Sequence, residues 1–142
     1  MATDFSALCP LFNTGMYSEL TFPGPFALAS VASTTTKFAG LIFGRSVIVT
    51  AAYAAKMTAL ASSTANCTVK LYRAASWAGA ATVFASLKLS KTTTVQALKK
   101  PLAFTVAAAK TFSATQMLII RESKATASAK SIQGVIVRYK EK

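Results

Sequence analysis

Short runs of alternating apolar and polar residues are the feature of this sequence that most restricts its fold. In residues 82–89 the alternation places four apolar side chains on one side of an extended chain: Val83, Ala85, Leu87 and Leu89. Similar runs recur, with loops rich in Ser, Thr, Ala and Lys between them. We therefore predict strands at 46–50, 67–73, 82–89, 102–108, 116–121 and 132–139. This spacing predicts an all-β, jelly-roll-like antiparallel β-sandwich.

Three stretches need separate interpretation. Residues 51–61 continue the alternation of 46–50, which favours one long strand. They are also rich in Ala, the best helix former, and three apolar residues have helical spacing, so a short helix remains the alternative: Tyr53, Met57 and Leu60. Residues 74–81, around the single tryptophan, predict a loop or one helical turn. The continuous apolar run 117–120 is typical of a strand that is covered on both sides.

The first 36 residues differ from the rest of the chain. They contain Asp4 and Glu19 but no Lys or Arg, so their formal charge is −2, whereas the remainder has 16 basic and two acidic residues and carries +14. Pro and Gly interrupt this apolar segment, which disfavours long regular elements. We predict an irregular N-terminal arm at 1–36 and a β-sandwich domain at 37–142.

An apolar arm must lie against something, because a free one would promote aggregation. We expect it to cross a subunit boundary, where phenylalanine side chains would bind a second copy or a larger shell. Deleting residues 2–25 should then leave a folded β body that no longer oligomerises or no longer binds its shell. The expected anchors are Phe5, Phe12, Phe22 and Phe26.

The inventory of reactive side chains argues against an enzyme. The chain has no His, which removes the usual general base and the commonest metal ligand. We expect no catalytic residue, cofactor or metal site. Glu122 beside Arg121 is interpreted as half of a surface ion pair. Cys9 and Cys67 are interpreted as buried thiols, with a disulfide as the alternative.

The charge balance indicates an acidic partner. The formal net charge is +12, and Lys outnumbers Arg twelve to four. Dispersed Lys residues are typical of a solvated surface or of protected strand edges, yet this does not explain the shortage of acids. We expect salt-sensitive binding that is not specific for nucleic acid. The candidate partner-facing residues are Lys70, Arg73, Lys99, Lys100, Lys124 and Arg138.

A Pro-interrupted apolar arm, short alternating strands and the C-terminal run 132–139 together resemble the small jelly-roll decoration, or cement, proteins of tailed-phage capsids. The segment 102–120, with a loop at 110–115 between two strands, is similar to the middle of such chains. The resemblance implies a dimer or trimer that binds the outside of a capsid and bridges major capsid subunits. It also implies a protein made in the host cytoplasm and located on the virion surface.

Two other classes of function stay open. A nucleic-acid-binding coat protein would need a contiguous basic face. A carbohydrate-binding or adhesion module would need an exposed aromatic shelf, for which Trp77 is the strongest candidate. We expect no small-molecule substrate. No run of 18 apolar residues is present, so we also expect no membrane-spanning segment.

Overall fold

The structure is a computed structural model, which describes residues 17–27, 35–57, 67–90, 100–107, 110–124 and 131–142. These residues form β-strands that all pair antiparallel. The strands are β1 (Ser18–Ala27), β2 (Thr35–Ile42), β3 (Val47–Met57), β4 (Cys67–Ala74), β5 (Ala81–Leu89), β6 (Leu102–Ala103), β7 (Thr105–Val106), β8 (Lys110–Phe112), β9 (Met117–Lys124) and β10 (Ser131–Glu141).

The strands form two sheets packed face to face, so the prediction of an all-β sandwich is confirmed. The first sheet has the order β1-β10-β3-β6, and β8 also pairs with β3; the second has the order β2-β9-β4-β5-β7. Successive strands usually lie in different sheets, so the chain repeatedly crosses between layers. One crossing, from β2 to β3, turns at Gly44, whose φ of 74° favours glycine.

Alternate residues of both sheets meet in one core. The inward residues include Val47 and Val49 of the first sheet and Leu118 and Ile120 of the second, all fully buried. At one end of the core, aromatic rings pack in sequence: Phe84 against Phe112, Phe112 against Phe43, and Phe43 against Tyr139, with centroids 5.1–5.4 Å apart. Burial of these side chains supplies the main stabilising contribution.

A β-bulge changes the predicted orientation of β5. Leu71 pairs with Ala85, and the next residue, Tyr72, pairs with Val83, so Phe84 is an extra residue in β5. Phe84 and Ala85 are therefore both buried. Ala85, Leu87 and Leu89 point inward as predicted, but the prediction for Val83 is wrong, because the bulge turns it outward.

The predicted strand 102–108 is divided by a change of sheet. β6 pairs with β3 in the first sheet and β7 with β5 in the second. Between them Phe104 is buried and its N–H donates to the carbonyl of Ala52 at 2.9 Å. The predicted loop 110–115 is also wrong in its first part, because Lys110–Phe112 forms β8 against the outer edge of β3.

The N-terminal segment is more regular than expected. The interpretation of an irregular arm is wrong for Ser18–Ala27, which forms β1 and pairs with β10 along its length, with a register shift between Pro23 and Phe26. Phe22 is only 8% exposed and belongs to the core. A deletion of residues 2–25 would therefore remove a strand from the first sheet, so the expected folded body would lose part of its core.

Three further predictions have clear outcomes. The long-strand interpretation of residues 51–61 is confirmed as far as Met57, where β3 ends; residues 58–61 lie outside the described residues. The run 117–120 is buried on both faces at Leu118, Ile119 and Ile120. Glu122 is not part of a surface ion pair: it follows the inward alternation of β9 and is completely buried, while Arg121 lies on the opposite face.

Candidate binding face on the second sheet

The outward face of the second sheet is built by the same alternation that fills the core. In β9, Leu118, Ile120 and Glu122 point inward, so Met117, Ile119 and Arg121 point outward. Their register partners in β2, β4 and β5 share that side, because directly opposed residues of an antiparallel pair lie on the same face. We call this surface the outward face of the second sheet.

Four rows cross this face at right angles to the strands. They run from an apolar end to a polar end of the sheet. In the order β2, β9, β4, β5 the rows are Ile42–Met117–Ala74–Ala81, Gly40–Ile119–Tyr72–Val83, Lys37–Arg121–Lys70–Ser86, and Thr35–Ser123–Thr68–Lys88.

The apolar end has a small packed cluster of its own. Ala74 and Ile119 are buried although they lie outside the core between the sheets. Trp77, in the loop after β4, lies against Gly40: a Cβ built at position 40 would be 2.8 Å from Cζ3 of Trp77 and 3.0 Å from Sδ of Met117. Glycine at this position therefore lets the indole ring approach the sheet closely.

Apolar side chains remain exposed around this cluster. Among the described residues, the large hydrophobic side chains exposed on this face are Ile42 at 49%, Val83 at 45% and Trp77 at 44%. Trp77 lies on the β2 side, against Gly40, where Ile42 also stands, whereas Val83 is in β5 with β9 and β4 between. Exposed apolar side chains at one end of a sheet, next to charged residues, are typical of an interaction site.

The next row contains like charges placed directly opposite each other. Arg121 is the register partner of Lys37 on one side and of Lys70 on the other. Its guanidinium carbon lies 4.5 Å from the centroid of the Tyr72 ring, a cation–π contact. The Nε of Arg121 is buried and makes no hydrogen bond to any described residue.

The first sheet carries a corresponding tyrosine and arginine on its own outward face, but with an acid. Glu19 of β1 is the register partner of Arg138 in β10, and its Oε1 accepts from Nε at 3.1 Å and from Nη2 at 2.7 Å. The Arg138 guanidinium lies 5.7 Å from the centroid of the Tyr53 ring. The pKa of Arg138 is raised, chiefly by the hydrogen bond to Glu19, although desolvation opposes this.

These residues border an open pocket of about 430 Å³ on the first sheet. The pocket is lined by Glu19, Tyr53, Lys100, Pro101, Ile136 and Arg138. Its charged groups are largely neutralised by the Glu19–Arg138 pair, which leaves Lys100 as the additional cation.

The acidic side chains are distributed unequally between the two faces. Glu19 pairs with Arg138, Glu141 of β10 pairs with Arg45 at 2.6 Å, and Glu122 is inside the sandwich. Within the described ranges, the outward face of the second sheet has no acidic residue. Its cations are therefore not balanced by a carboxylate on the same face.

The structure separates the basic residues that the sequence grouped together. Lys70 lies on the outward face of the second sheet, whereas Lys100 and Arg138 border the pocket of the first. Arg73 is at the inward side of β4 and donates to the carbonyl of Thr111 at 2.8 Å, which ties the two sheets together. Lys99 and the side chain of Lys124 lie outside the described residues.

The four expected arm anchors are not brought together among the described residues. Phe22 is in the core of its own chain, opposite Val135, so it is not an exposed interface anchor. Phe26 is in β1 opposite Ile132, but its side chain is outside the described part. Phe5 and Phe12 also lie outside it.

Sequence reasoning missed Arg121, Tyr72 and Gly40 as parts of one surface. A signal was present, since Arg121 continues the outward alternation of Met117 and Ile119. The register that places Lys70 beside it comes from pairing between distant segments.

The chain matches no model of a known protein family, and no curated protein is significantly similar to it. In the part of the chain that the structure describes, no helix has the length and apolarity needed to cross a membrane. Within that same part, no three His, Cys, Asp or Glu side chains lie close enough together to hold a metal ion.

Proposed function

We propose that this protein is a non-enzymatic structural protein that binds the outside of a phage capsid and stabilises it by bridging major capsid subunits. In this proposal the protein acts on the virion surface as a dimer or trimer. The β-sandwich is the rigid body of the module, and one outward face makes the contact with the shell.

The observation that carries the proposal is the unequal charge of the two sheets. Arg121 and Lys70 stand opposite each other on a face with no described acid, and exposed apolar side chains adjoin them. Such a face is suited to a large acidic surface with an apolar centre, and association with it would be favoured by electrostatic attraction. A virus shell would present many copies of one such surface, so a bridging protein needs no reactive group.

The strand order supports the finer proposal that the sandwich is a jelly roll. In the first sheet, the first and last strands, β1 and β10, are neighbours, followed by β3 and β8; in the second, the order is β2, β9, β4 and β5. Two four-stranded sheets connected in this way, with β6 and β7 as short additions, fit the jelly-roll pattern that recurs in virion proteins.

The proposal can be tested with shells assembled from the major capsid protein encoded in the same genome. The protein should co-sediment with intact shells, raise the temperature at which they dissociate, and detach progressively as salt is added. A denatured sample of the same chain is the control for nonspecific sedimentation. The absence of co-sedimentation even at low salt would contradict the proposal, as would preferential binding of the protein to single-stranded nucleic acid in the same mixture.

A further inference from the structure

We propose that the outward face of the second sheet is the docking surface and that its occupant is an acidic protein segment bearing an apolar side chain. Carboxylates of this segment would face the row that contains Arg121 and Lys70, and its apolar side chain would cover Ile42 and Trp77. This inference rests on the proposed function, because it names the chemistry of the partner.

The row of cations is the first reason. Like charges directly opposite each other in an antiparallel pair destabilise a sheet. Arg121 and Lys70 occupy opposed positions on adjacent strands. On the first sheet the corresponding arginine has a glutamate opposite it. The repulsion between these cations weakens the isolated fold. An anion supplied by a partner would remove the repulsion, which accounts for the presence of the row.

The environment of Arg121 is the second reason. Its stacking on Tyr72 restricts the guanidinium group before any partner binds. A planar guanidinium held in this way can donate two parallel hydrogen bonds to a carboxylate.

The adjoining apolar rows favour a protein over a nucleic acid. Bases could stack on Trp77, but the aliphatic side chains of Ile42 and Val83 gain little from phosphate groups or base edges. Apolar side chains of a protein would bury them. A surface that combines exposed apolar and aromatic side chains with an adjoining arginine has the composition of a protein–protein interface.

The geometry around Gly40 fixes the position of Trp77 at the apolar end of the sheet. Because glycine lets Trp77 lie close to the sheet beside Met117, the indole ring is supported from below. A large aromatic side chain supported in this way can contribute much of the binding energy of an interface.

Trp77 gives a direct measurement, since it is the only tryptophan of the chain. The probe is a random copolymer of glutamate and tyrosine, which combines carboxylates with aromatic side chains. Titration into the full chain at low salt should change the Trp77 emission. Added salt should weaken the binding, and poly-glutamate, which lacks apolar side chains, should bind more weakly than the copolymer.

The test variant is Lys70→Glu with Arg121→Glu, and the matched control is Lys140→Glu with Lys142→Glu. Both remove the same positive charge, but the control residues belong to the first sheet and the end of the chain. We expect the test variant to bind the copolymer at least about tenfold more weakly and the control to stay within about twofold of the wild type. Circular dichroism and thermal unfolding of both variants establish that they remain folded.

Four results would overturn the inference. If both variants bind the copolymer equally weakly, only the net charge of the protein matters. If poly-glutamate binds as tightly as the copolymer, the apolar rows do not contribute to binding. Tighter binding of an oligothymidylate than of the copolymer would assign the face to nucleic acid. If wild-type protein binds capsid shells and the test variant binds them equally well, the docking face is wrong while the capsid function stands. If no shell is bound but the copolymer results hold, the capsid function is wrong while the face stands.

Discussion

Arg138 on the first sheet and Arg121 on the second are alike in position but differ in their neighbours. Each points outward from a central strand, and each guanidinium lies near a tyrosine ring of the adjacent strand, at 5.7 Å for Tyr53 and 4.5 Å for Tyr72. Arg138 has Glu19 directly opposite it, whereas Arg121 has Lys70 directly opposite it. On the first sheet, the carboxylate of Glu19 therefore balances the charge of the Arg138 guanidinium.

The comparison shows that a formal charge of +12 says little until it is placed on a surface. An exposed arginine with a glutamate beside it adds little net field, and such pairs contribute modestly to stability. An arginine among lysines keeps its field and draws an anion from outside. The positions of a few acids therefore decide which face carries an unbalanced positive charge.

Exchanging the charges of Glu19 on the first sheet and Lys70 on the second should have the largest effect. Glu19→Lys combined with Lys70→Glu leaves the composition of charges unchanged but gives Arg121 an acid and removes that of Arg138. We expect the copolymer to bind the second sheet at least about tenfold more weakly, measured by Trp77 emission, because Arg121 then has a carboxylate directly opposite it. Binding should appear instead on the first sheet, as shifts of the Tyr53 and Ile136 amide resonances.

The two single changes are the controls for this exchange. Lys70→Glu alone should weaken binding on the second sheet by at least about tenfold, and Glu19→Lys alone should add binding on the first. A double variant whose Trp77 still responds with wild-type affinity would show that the charge rows do not select the binding face.

Substituting alanine for one glycine on each face should give the next largest effect. At position 134 the added Cβ would lie 3.3 Å from the carbonyl oxygen of Phe22, a backbone atom of β1 that cannot move alone. We expect Gly134→Ala to lower the free energy of unfolding by about 1–3 kcal/mol. Gly40→Ala meets only the ends of the Trp77 and Met117 side chains, so it should change stability by less than about 1 kcal/mol.

Urea unfolding of both variants measures this difference, and the midpoints should order as wild type and Gly40→Ala above Gly134→Ala. The Gly40→Ala variant should also show a red shift of Trp77 emission, since the ring must move away from the sheet. Equal losses of stability, or an unchanged emission spectrum, would mean that Trp77 does not depend on the glycine.

Neutralising Glu19, the acid opposite Arg138 on the first sheet, should have the smallest effect. Glu19→Gln removes the hydrogen-bonded carboxylate from Arg138 and should slightly lower the thermal midpoint, because the pair is exposed. The raised pKa of Arg138 means that its contribution is present wherever the guanidinium is protonated and is lost only in strongly alkaline solution. The effect should therefore be constant from neutral to mildly alkaline pH in calorimetric scans.

Glu141→Gln is the matched control, since it breaks the other exposed ion pair, with Arg45, away from Tyr53. Only Glu19→Gln should create weak copolymer binding on the first sheet. A large loss of stability in Glu19→Gln, unmatched by Glu141→Gln, would mean that the acid holds β1 in place rather than balancing charge.

The class of fold and most strand positions follow from local sequence patterns. Alternation placed Ala85, Leu87 and Leu89 inward, because a two-residue period follows from strand geometry and leaves one face for the core. It also indicated that 117–120 is covered on both sides. Composition indicated an acidic partner, though it could not say which surface would meet it.

Features that depend on pairing between distant segments could be known only from the three-dimensional structure. The bulge at Phe84, the change of sheet at Phe104 and the burial of Phe22 all require a partner strand or a second sheet, which no local pattern specifies. The Arg121–Glu122 dipeptide predicts a surface ion pair. Successive residues of a strand face opposite sides, however, so Arg121 faces outward and Glu122 is buried. Likewise Arg121 and Lys70 are far apart in the chain, and only strand register makes them adjacent.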